Sequence, residues 1–491
     1  MNIYLVAVIL YVGLLMFIGI RKTRSVKNQD DFMVAGRKTP TWILVATLMV
    51  TWIGSGSLFG GAGLAFRMGF SGLWFSAGAW TGIVVIYFLA HRVRRISQYT
   101  LSDILEKRYS AAARLLGTSA IIIAYLTIAG YQFRGGGRLL QILTGIDPHL
   151  GGAIVCVTVI VFTMAAGMVS ILSLDMFNGA VMSIGVLIAV PLTLAAVGGL
   201  GVVESLPADR FAVFGDNDAF WAFGIFLPTF FLLLSESSMY QKFFSAKDES
   251  AARQAAIGMV VGVVILETAL ATISIFGSAK YIHLAPFANP DGTLNKAVTE
   301  TILLQVARFD LPLVAGVLLI CAAVAIIIST ANTFLMVTST NITRDIYQRF
   351  INPDVSQQKI VRFQRFWIFL LGVIAYVVAN FFESILDMAF TAYAMVGAGI
   401  TPALLAAFLW KRVTVAGGVA SIAAGMGVTL VITFLNIVLP EPLIETDYII
   451  IPAAFASILF LVVVSLLTRP SPAEKWKPFM ENMQRNQASA Q

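Results

Sequence analysis

A short run of oxygen-bearing side chains interrupts an otherwise apolar segment at residues 313–343. The run contains Ser329, Thr330, Asn332 and Thr333, and in a helix the first, third and fourth of these share one face. Uncharged hydroxyl oxygens are hard ligands of the kind that small hard cations prefer. Together with carbonyl oxygens from a broken helix, Ser329 and Thr330 would complete an oxygen cage for a sodium ion. In the alternative interpretation these hydroxyls donate to carbonyls of their own helix.

The segment at residues 46–66 is long and apolar enough to cross a bilayer, which takes about 20 residues. Its middle, residues 54–63, is nevertheless a poor helix because it holds five glycines and two serines. Each glycine costs a helix interior roughly 1 kcal/mol relative to alanine. Hydrocarbon offers no water to a freed carbonyl group, so a broken helix persists only where protein, an ion or a cavity covers the break. Small residues also suit close helix packing, and this segment alone leaves packing and binding both open.

Three carboxylates, Asp175, Glu236 and Glu267, also fall in apolar segments, where an ionisable group indicates a functional site by default. Glu236 interrupts the segment 218–243 and needs a partner there, which favours an amine-bearing or strongly polar substrate. Pairing with Lys242 or protonation is the alternative. Asp175, at the predicted start of a helix, would also be favoured by the helix dipole. Glu267 belongs to no motif and is predicted to form hydrogen bonds between helices.

These residues lie in a chain of 491 residues, of which 58% are hydrophobic and 12% are charged. Soluble domains are nearer about 25% charged, so the composition predicts an all-α polytopic membrane protein. Cys156 and Cys321 both lie in apolar segments, which predicts neither a disulfide framework nor a cysteine metal site. The apolar run at residues 3–20 lacks a basic start and a small-residue cleavage site, so we expect a retained first helix rather than a signal peptide.

Apolar segments bounded by charged or turn residues predict about thirteen transmembrane helices. Their predicted spans are 3–20, 41–66, 72–91, 112–144, 150–167, 174–198, 218–243, 253–278, 313–343, 361–381, 384–409, 413–437 and 447–468. A non-helical patch is predicted at residues 135–137, where three glycines follow one another.

The distribution of basic residues predicts the orientation of these helices. With the N-terminus outside, 26 of the 33 lysines and arginines fall in the cytoplasmic loops and tail. Because positive residues are retained on the cytoplasmic side, we expect a multi-pass plasma-membrane protein with its C-terminus in the cytoplasm. The net charge of +7 is therefore a topology signal and not a sign of a nucleic-acid partner. The basic loops also face anionic membrane lipid.

Helices 2–6 and 7–11 form two groups of five, and because five is odd the groups have opposite orientations. The first helix of each group is interrupted by polar residues, at 54–57 and at 234–238. Paired interruptions in corresponding helices are the best sequence indication of a binding site at the membrane midplane. The predicted organisation is a first helix and loop (1–40), a first inverted repeat (41–198), a second with an external loop at 279–312 (199–409), and two additional helices with a tail (410–491).

Several stretches resemble the sodium/solute symporter family, which includes bacterial proline, pantothenate, sialic acid and galactose transporters. They are residues 60–66, 132–140, 241–248 and 325–332 followed by 341–347. The resemblance implies a leucine-transporter-like fold, which is built on an inverted repeat. It also implies a sodium site made by the backbone carbonyls of Val50, Ile53 and Ile326 and the hydroxyls of Ser329 and Thr330.

Some family members have a second sodium site at an aspartate in the position of Asp175. Its other ligands here would be Ser329, Asn332 and Thr333, although Asn332 offers an amide oxygen instead of the family's hydroxyl. Urea and polyamine transporters of the family resemble this chain in having an acid near the position of Glu236. Aromatic rings would add to the binding of a cationic group. The predicted substrate-binding residues are Trp52, Ser57, Trp74, Phe75, Glu236, Phe390 and Tyr393.

The sequence therefore predicts a sodium-coupled symporter that imports a small polar or amine-bearing solute by alternating access, with Na⁺ as the coupling ion. A membrane enzyme would need a constellation such as H-E-x-x-H or a Ser/His pair, and we find neither. A proton-coupled carrier that titrates Asp175 or Glu236 is the nearest alternative, and a nutrient sensor on a transporter fold is another. The sequence gives no indication of an obligate protein partner.

Overall fold

The computed structural model describes residues 2–23, 34–96, 98–165, 168–382 and 384–480. These ranges are helical nearly throughout and contain no β-strand. Within them, eleven helices are long and apolar enough to cross a membrane, and two shorter apolar helices, Ile3–Gly19 and Thr41–Trp52, accompany them. The predicted all-α polytopic fold is confirmed. The count of thirteen spans stays a prediction, because eleven helices meet the length and hydropathy of a membrane span.

The helices used below are numbered along the chain. They are α1 (Ile3–Thr23), α2 (Thr41–Trp52), α3 (Ala62–Met68), α4 (Trp74–Ile96), α5 (Leu101–Arg108), α6 (Ala111–Thr144), α7 (Pro148–Ala165), α8 (Met168–Ala196), α9 (Ala219–Leu234), α10 (Ser237–Ser245), α11 (Glu249–Tyr281), α12 (Leu313–Thr340), α13 (Gln357–Ala379), α14 (Ile385–Leu409), α15 (Val415–Val438) and α16 (Ile450–Leu467).

Two helices differ from their predicted bounds in ways that matter for the site. α8 begins at Met168 rather than at residue 174, so Asp175 lies inside the helix and not at its start. α6 continues through residues 135–137 without interruption, and the predicted non-helical patch is wrong. A Cβ at Gly137 would lie 2.2 Å from the carbonyl oxygen of Pro148, which shows that this glycine permits close packing of α6 on α7.

The first predicted break is present between α2 and α3. Helical geometry ends at Ile53, whose ψ is 86°, and the chain resumes through a π-helical turn at Gly56–Gly61. A Cβ at Gly54 would lie 2.9 Å from both Nε2 of Gln132 and Cγ2 of Thr330. The break therefore passes α6 and α12 so closely that a side chain at Gly54 would force Gln132 and Thr330 to shift.

The second predicted break separates α9 from α10. The helix stops after Leu234 and restarts at Ser237, with Ser235 and Glu236 between the two halves. Glu236 is in the extended region and its side chain caps the N-terminus of α10. Both interruptions predicted from glycine and polar side chains in apolar segments are thus confirmed.

α12 and α14 lie at the centre of the bundle. Over the most apolar 18 residues of each span, 78% of the residues are buried in α12 with its continuation to Ile351, and 89% are buried in α14. The corresponding fraction is 33% in α13, α15 and α16. The latter three helices expose large apolar side chains such as Phe366, Phe434 and Phe455. This arrangement is typical of outer helices that face lipid around a buried central pair.

α15 packs on α14 through Gly425, where a Cβ would lie 2.2 Å from the carbonyl oxygen of Ala398. We expect Gly425→Ala to lower the melting temperature in detergent, because the helices must separate at a cost of about 1–3 kcal/mol. Gly427 provides a matched control on the same helix, since no atom of the described residues lies within 4 Å of its Cβ position. Gly427→Ala should be neutral or stabilise by up to about 1 kcal/mol. Equal shifts for the two variants would contradict this account of the interface.

Candidate cation and substrate site

α12 crosses the first break with Thr330 directed at it. Oγ1 of Thr330 donates to the carbonyl oxygen of Val50 over 3.3 Å. If two oxygens each lie about 2.4 Å from a hard cation and the oxygen–cation–oxygen angle is about 90°, the oxygens are about 3.4 Å apart. The distance between Thr330 Oγ1 and the Val50 oxygen therefore suits two ligands of one ion. The five predicted ligands are all buried, with exposed fractions of 0% for Val50, Ile53 and Ile326 and 1% for Ser329 and Thr330.

Ser329 lies one residue away and donates its hydroxyl proton to Oδ1 of Asp175. A hydroxyl that binds a cation must present a lone pair to the ion and send its proton elsewhere, and Asp175 accepts that proton. Thr47 of α2 also donates to Asp175. Three helices, α2, α8 and α12, therefore converge on one buried carboxylate.

A lysine that the charge pattern assigns to a cytoplasmic loop lies inside the bundle. Lys242 of α10 is fully buried, and its Nζ is 3.3 Å from Oδ2 of Asp175 and 3.1 Å from the carbonyl oxygen of Thr47. The ammonium group also donates to Oγ1 of Thr51. The ion pair observed is therefore Lys242 with Asp175, and not the pairing with Glu236 considered from the sequence.

The residues predicted for a second sodium are divided between two places. The carboxylate of Asp175 faces Lys242 and Ser329, whereas Oδ1 of Asn332 accepts a hydrogen bond of 2.7 Å from Thr163 of α7. Oγ1 of Thr333 is buried and makes no hydrogen bond within the described part of the chain. The aspartate and the amide oxygen of that set are engaged with other partners.

A narrow cavity of about 20 Å³ lies beside the first break, with room for roughly one or two water molecules. Its lining includes Thr51, Trp52, Tyr131, Glu236, Thr330 and Tyr393, with apolar side chains between them. Three predicted substrate residues, Trp52, Glu236 and Tyr393, line it. Tyr131 was not predicted, because a tyrosine within an apolar helix gives no signal of its own. Thr330 belongs both to this cavity and to the predicted cation site.

The carboxylate of Glu236 is fully supplied with donors. It accepts from the hydroxyl of Tyr125, from the backbone N–H of Met239 at 2.9 Å and from the backbone N–H of Ser238 at 3.3 Å. The N-terminus of α10 offers further favourable electrostatics for a negative charge. The buried carboxylate is thus stabilised without a substrate cation, although it remains at the edge of the cavity.

The other predicted substrate residues lie behind or away from the cavity. The ring of Phe75 packs edge-on against Phe390 at 5.7 Å and stacks on Tyr393 at 6.2 Å, so these two phenylalanines support a cavity wall. Trp74 stacks on Phe214 in the loop before α9, at 5.7 Å. The cavity as described is lined by neither Trp74 nor Ser57.

Glu267 forms hydrogen bonds that connect the cavity-lining residue Trp52 to neighbouring helices. Its carboxylate accepts hydrogen bonds from Trp52 at 3.2 Å, Ser57 at 2.8 Å and Trp80 at 2.7 Å. These bonds join α11 to α4 and to both sides of the first break, and the prediction of hydrogen bonding between helices is confirmed. Glu267 thereby holds the indole of Trp52 at the cavity.

Buried oxygen-bearing groups beside an aromatic cavity, at a helix break, are the arrangement expected of an ion-coupled carrier. The model of the sodium:solute symporter family matches residues 32–425, which is most of the chain. The chain belongs to the sodium:solute symporter family. It is accordingly a multi-pass membrane transporter and not an enzyme, and it couples solute transport to Na⁺.

Relatives of this symporter cover almost the same length. The high-affinity proline transporter PutP of Bacillus subtilis is 27% identical over 485 residues, which is 94% of this chain and 97% of the relative. A sodium/proline symporter of Staphylococcus aureus is 25% identical, over 94% of this chain and 92% of the relative. A solved Na⁺-coupled sialic acid symporter has a TM-score of 0.80 at 16% identity, over 96% of this chain and 99% of that one, and this likeness shows the leucine-transporter-like fold alone.

Proposed function

We propose that this symporter binds its sodium ion where α12 crosses the first break. The ligands are the carbonyl oxygens of Val50, Ile53 and Ile326 and the hydroxyls of Ser329 and Thr330. The contact of 3.3 Å between Thr330 and Val50 across the break carries this proposal. The hydrogen bond that Ser329 donates to Asp175 supports it further, because it directs the serine proton away from the ion and leaves the lone pairs available.

Sodium and solute are coupled through shared residues. Thr330 contacts both the cation site and the cavity, and the cavity-lining Thr51 and Trp52 end the helix that supplies Val50. Sodium binding fixes the break and with it the cavity wall, so each ligand raises the affinity for the other. The membrane potential adds about 2.3 kcal/mol per charge per 100 mV to the driving force.

The solute that fits this cavity best is small and carries an amine or another strongly polar group. Trp52, Tyr131 and Tyr393 supply aromatic surface, and the carboxylate of Glu236 supplies a negative potential at one edge. The named substrate of the relatives, proline, is a small amine-bearing solute and agrees with this class. Because the cavity has room for only roughly one or two water molecules, it must widen for the solute to enter.

The transport cycle follows from two halves, residues 41–198 and 199–409, that form an inverted repeat. The broken helix at the start of each half supports this division. Rocking of one bundle against the other exposes the site to either side in turn. The excess of basic residues supports a plasma-membrane orientation with the N-terminus outside and the C-terminus in the cytoplasm.

Uptake into proteoliposomes tests this function. Thermal stabilisation in NaCl against amines, amino acids, sugars and vitamins first selects the solute, with proline included. Uptake of that solute should require an inward sodium gradient and persist when an uncoupler removes the proton gradient. Full uptake driven by protons without sodium would contradict the proposal and indicate Asp175 or Glu236 as a proton carrier. Stabilisation by sugars alone would contradict the substrate class.

A further inference from the structure

Lys242 provides a positive charge inside the membrane that no part of the sodium site uses. Its side chain is 0% exposed, and its ammonium group reaches three oxygens: the carbonyl of Thr47 at 3.1 Å, Oδ2 of Asp175 at 3.3 Å, and Oγ1 of Thr51. An ammonium group has three donors, so every one of them has an acceptor. The lysine is therefore held as an ion is held, by a set of oxygens around it.

The carboxylate of Asp175 is correspondingly occupied. Oδ2 accepts from Lys242 and from Thr47, and Oδ1 accepts from Ser329. One negative charge faces one positive charge within the buried cluster, so the pair is neutral. A sodium ion added at Asp175 would place a second positive charge beside the ammonium group with only one carboxylate between them, which is unfavourable in a buried site.

The amide ligand predicted for such an ion is also engaged elsewhere. The amide oxygen of Asn332 accepts a hydrogen bond from Thr163 of α7. Ser329 belongs to the sodium site proposed at the break, so the hydroxyl of Thr333 is the one predicted ligand that is left without a hydrogen bond in the described part of the chain.

From this geometry we propose that the ammonium group of Lys242 is a tethered second cation. It occupies the place at Asp175 that a second sodium ion would need, and the symporter binds a single sodium ion per chain. The inference rests on the sodium site proposed above, and it specifies the ion stoichiometry of that site. Removal of the lysine charge should open Asp175 to a second sodium ion.

Equilibrium dialysis of the purified full-length protein with ²²Na⁺ in choline chloride counts the bound ions directly. The wild-type protein should saturate at one sodium ion per chain and Lys242→Gln at two. Lys242→Arg, which keeps the charge, and the double variant Lys242→Gln/Asp175→Asn, which removes the pair, should both return to one. Lys247→Gln serves as a matched control, because Lys247 follows closely on the chain and is exposed, and it should also bind one.

Two results would overturn the inference. If the wild-type protein binds two sodium ions per chain, the inference is wrong, whether or not any variant folds. An unchanged number of ions in a folded Lys242→Gln variant would overturn it as well. The proposed sodium site is tested separately by the variant with both Ser329 and Thr330 replaced by alanine. That variant should lose the sodium ion that the wild-type protein binds. The additional sodium ion expected in Lys242→Gln tests only the position beside Asp175.

Discussion

Protein in which Ser329 and Thr330 are both replaced by alanine should no longer be stabilised by sodium. Each hydroxyl bound to a charged partner contributes about 1.5–3 kcal/mol, so loss of two ligands should weaken sodium binding by at least about 100-fold. A ligand that binds only the folded protein raises the melting temperature in proportion to the logarithm of its concentration over its dissociation constant. Melting curves in NaCl, with choline chloride at equal ionic strength as reference, measure the change without any knowledge of the solute.

Two variants of α12 show whether the effect belongs to the site. Thr330→Ser keeps a hydroxyl beside Val50, and the sodium dependence should stay close to that of the wild type. Thr338 lies two turns further along the helix, where its hydroxyl donates to the carbonyl of Phe334 in its own helix. Thr338→Val should therefore leave the sodium dependence unchanged. An unchanged sodium midpoint in the double alanine variant would place the ion elsewhere.

The framework of this site could be predicted from the sequence because the membrane restricts the available conformations. A helix through Gly54 and the neighbouring glycines is unfavourable, so the segment is expected to break. In a membrane the carbonyl groups freed by the break must then bind protein groups, an ion or water in a cavity. The Ser329–Thr330 run is the one hydroxyl pair whose family resemblance places it opposite that break. The contact between Thr330 and Val50 agrees with this placement.

The partners of the charged groups could not be predicted in the same way. The positive-inside rule counts Lys242 with a loop, because a pattern of charges along the chain does not show that α10 carries its lysine back into the bundle. The pairing with Asp175 depends on how α2, α8 and α10 pack, and local sequence does not determine this. The sequence likewise indicated that Glu236 is a buried carboxylate, because it lies in an apolar segment. Its hydrogen-bond donors, Tyr125 and the N-terminus of α10, could not be predicted, because they depend on tertiary packing and on where the helix restarts.

The strongest destabilisation is expected from Arg114→Ala, at the N-terminus of α6. The side chain of Arg114 is 7% exposed and its guanidinium group forms ion pairs with Asp103 and Glu106 of α5 and with Asp345 beyond the end of α12. The side chain of Asp345 is 0% exposed, so the variant leaves a buried carboxylate without this guanidinium partner. Removal of one partner from a buried ion pair costs about 3–5 kcal/mol, which thermal unfolding in detergent would detect.

Arg349 gives the matched control, because it pairs with the same Glu106 from a side chain that is 52% exposed. Exposed pairs contribute about 0–1 kcal/mol, so Arg349→Ala should change the melting temperature little.

Acid sensitivity separates the two variants further. Burial favours the protonated form of Asp103, but the guanidinium groups of Arg344 and Arg114 outweigh it and lower the pKa of that carboxyl. A lowered pKa adds stability at neutral pH that is lost as the pH falls through the folded-state value. Without Arg114 that value rises and less stability is lost on acidification, so the difference in melting temperature between the wild type and Arg114→Ala should be largest at neutral pH and should narrow as the pH falls. Burial raises the pKa of Glu106, but Arg349 and Arg114 lower it overall; because Arg349 is exposed, Arg349→Ala should change the pH dependence only slightly. Identical melting temperatures for the two variants at neutral and at acidic pH would show that Arg114 stabilises the bundle no more than an exposed pair does.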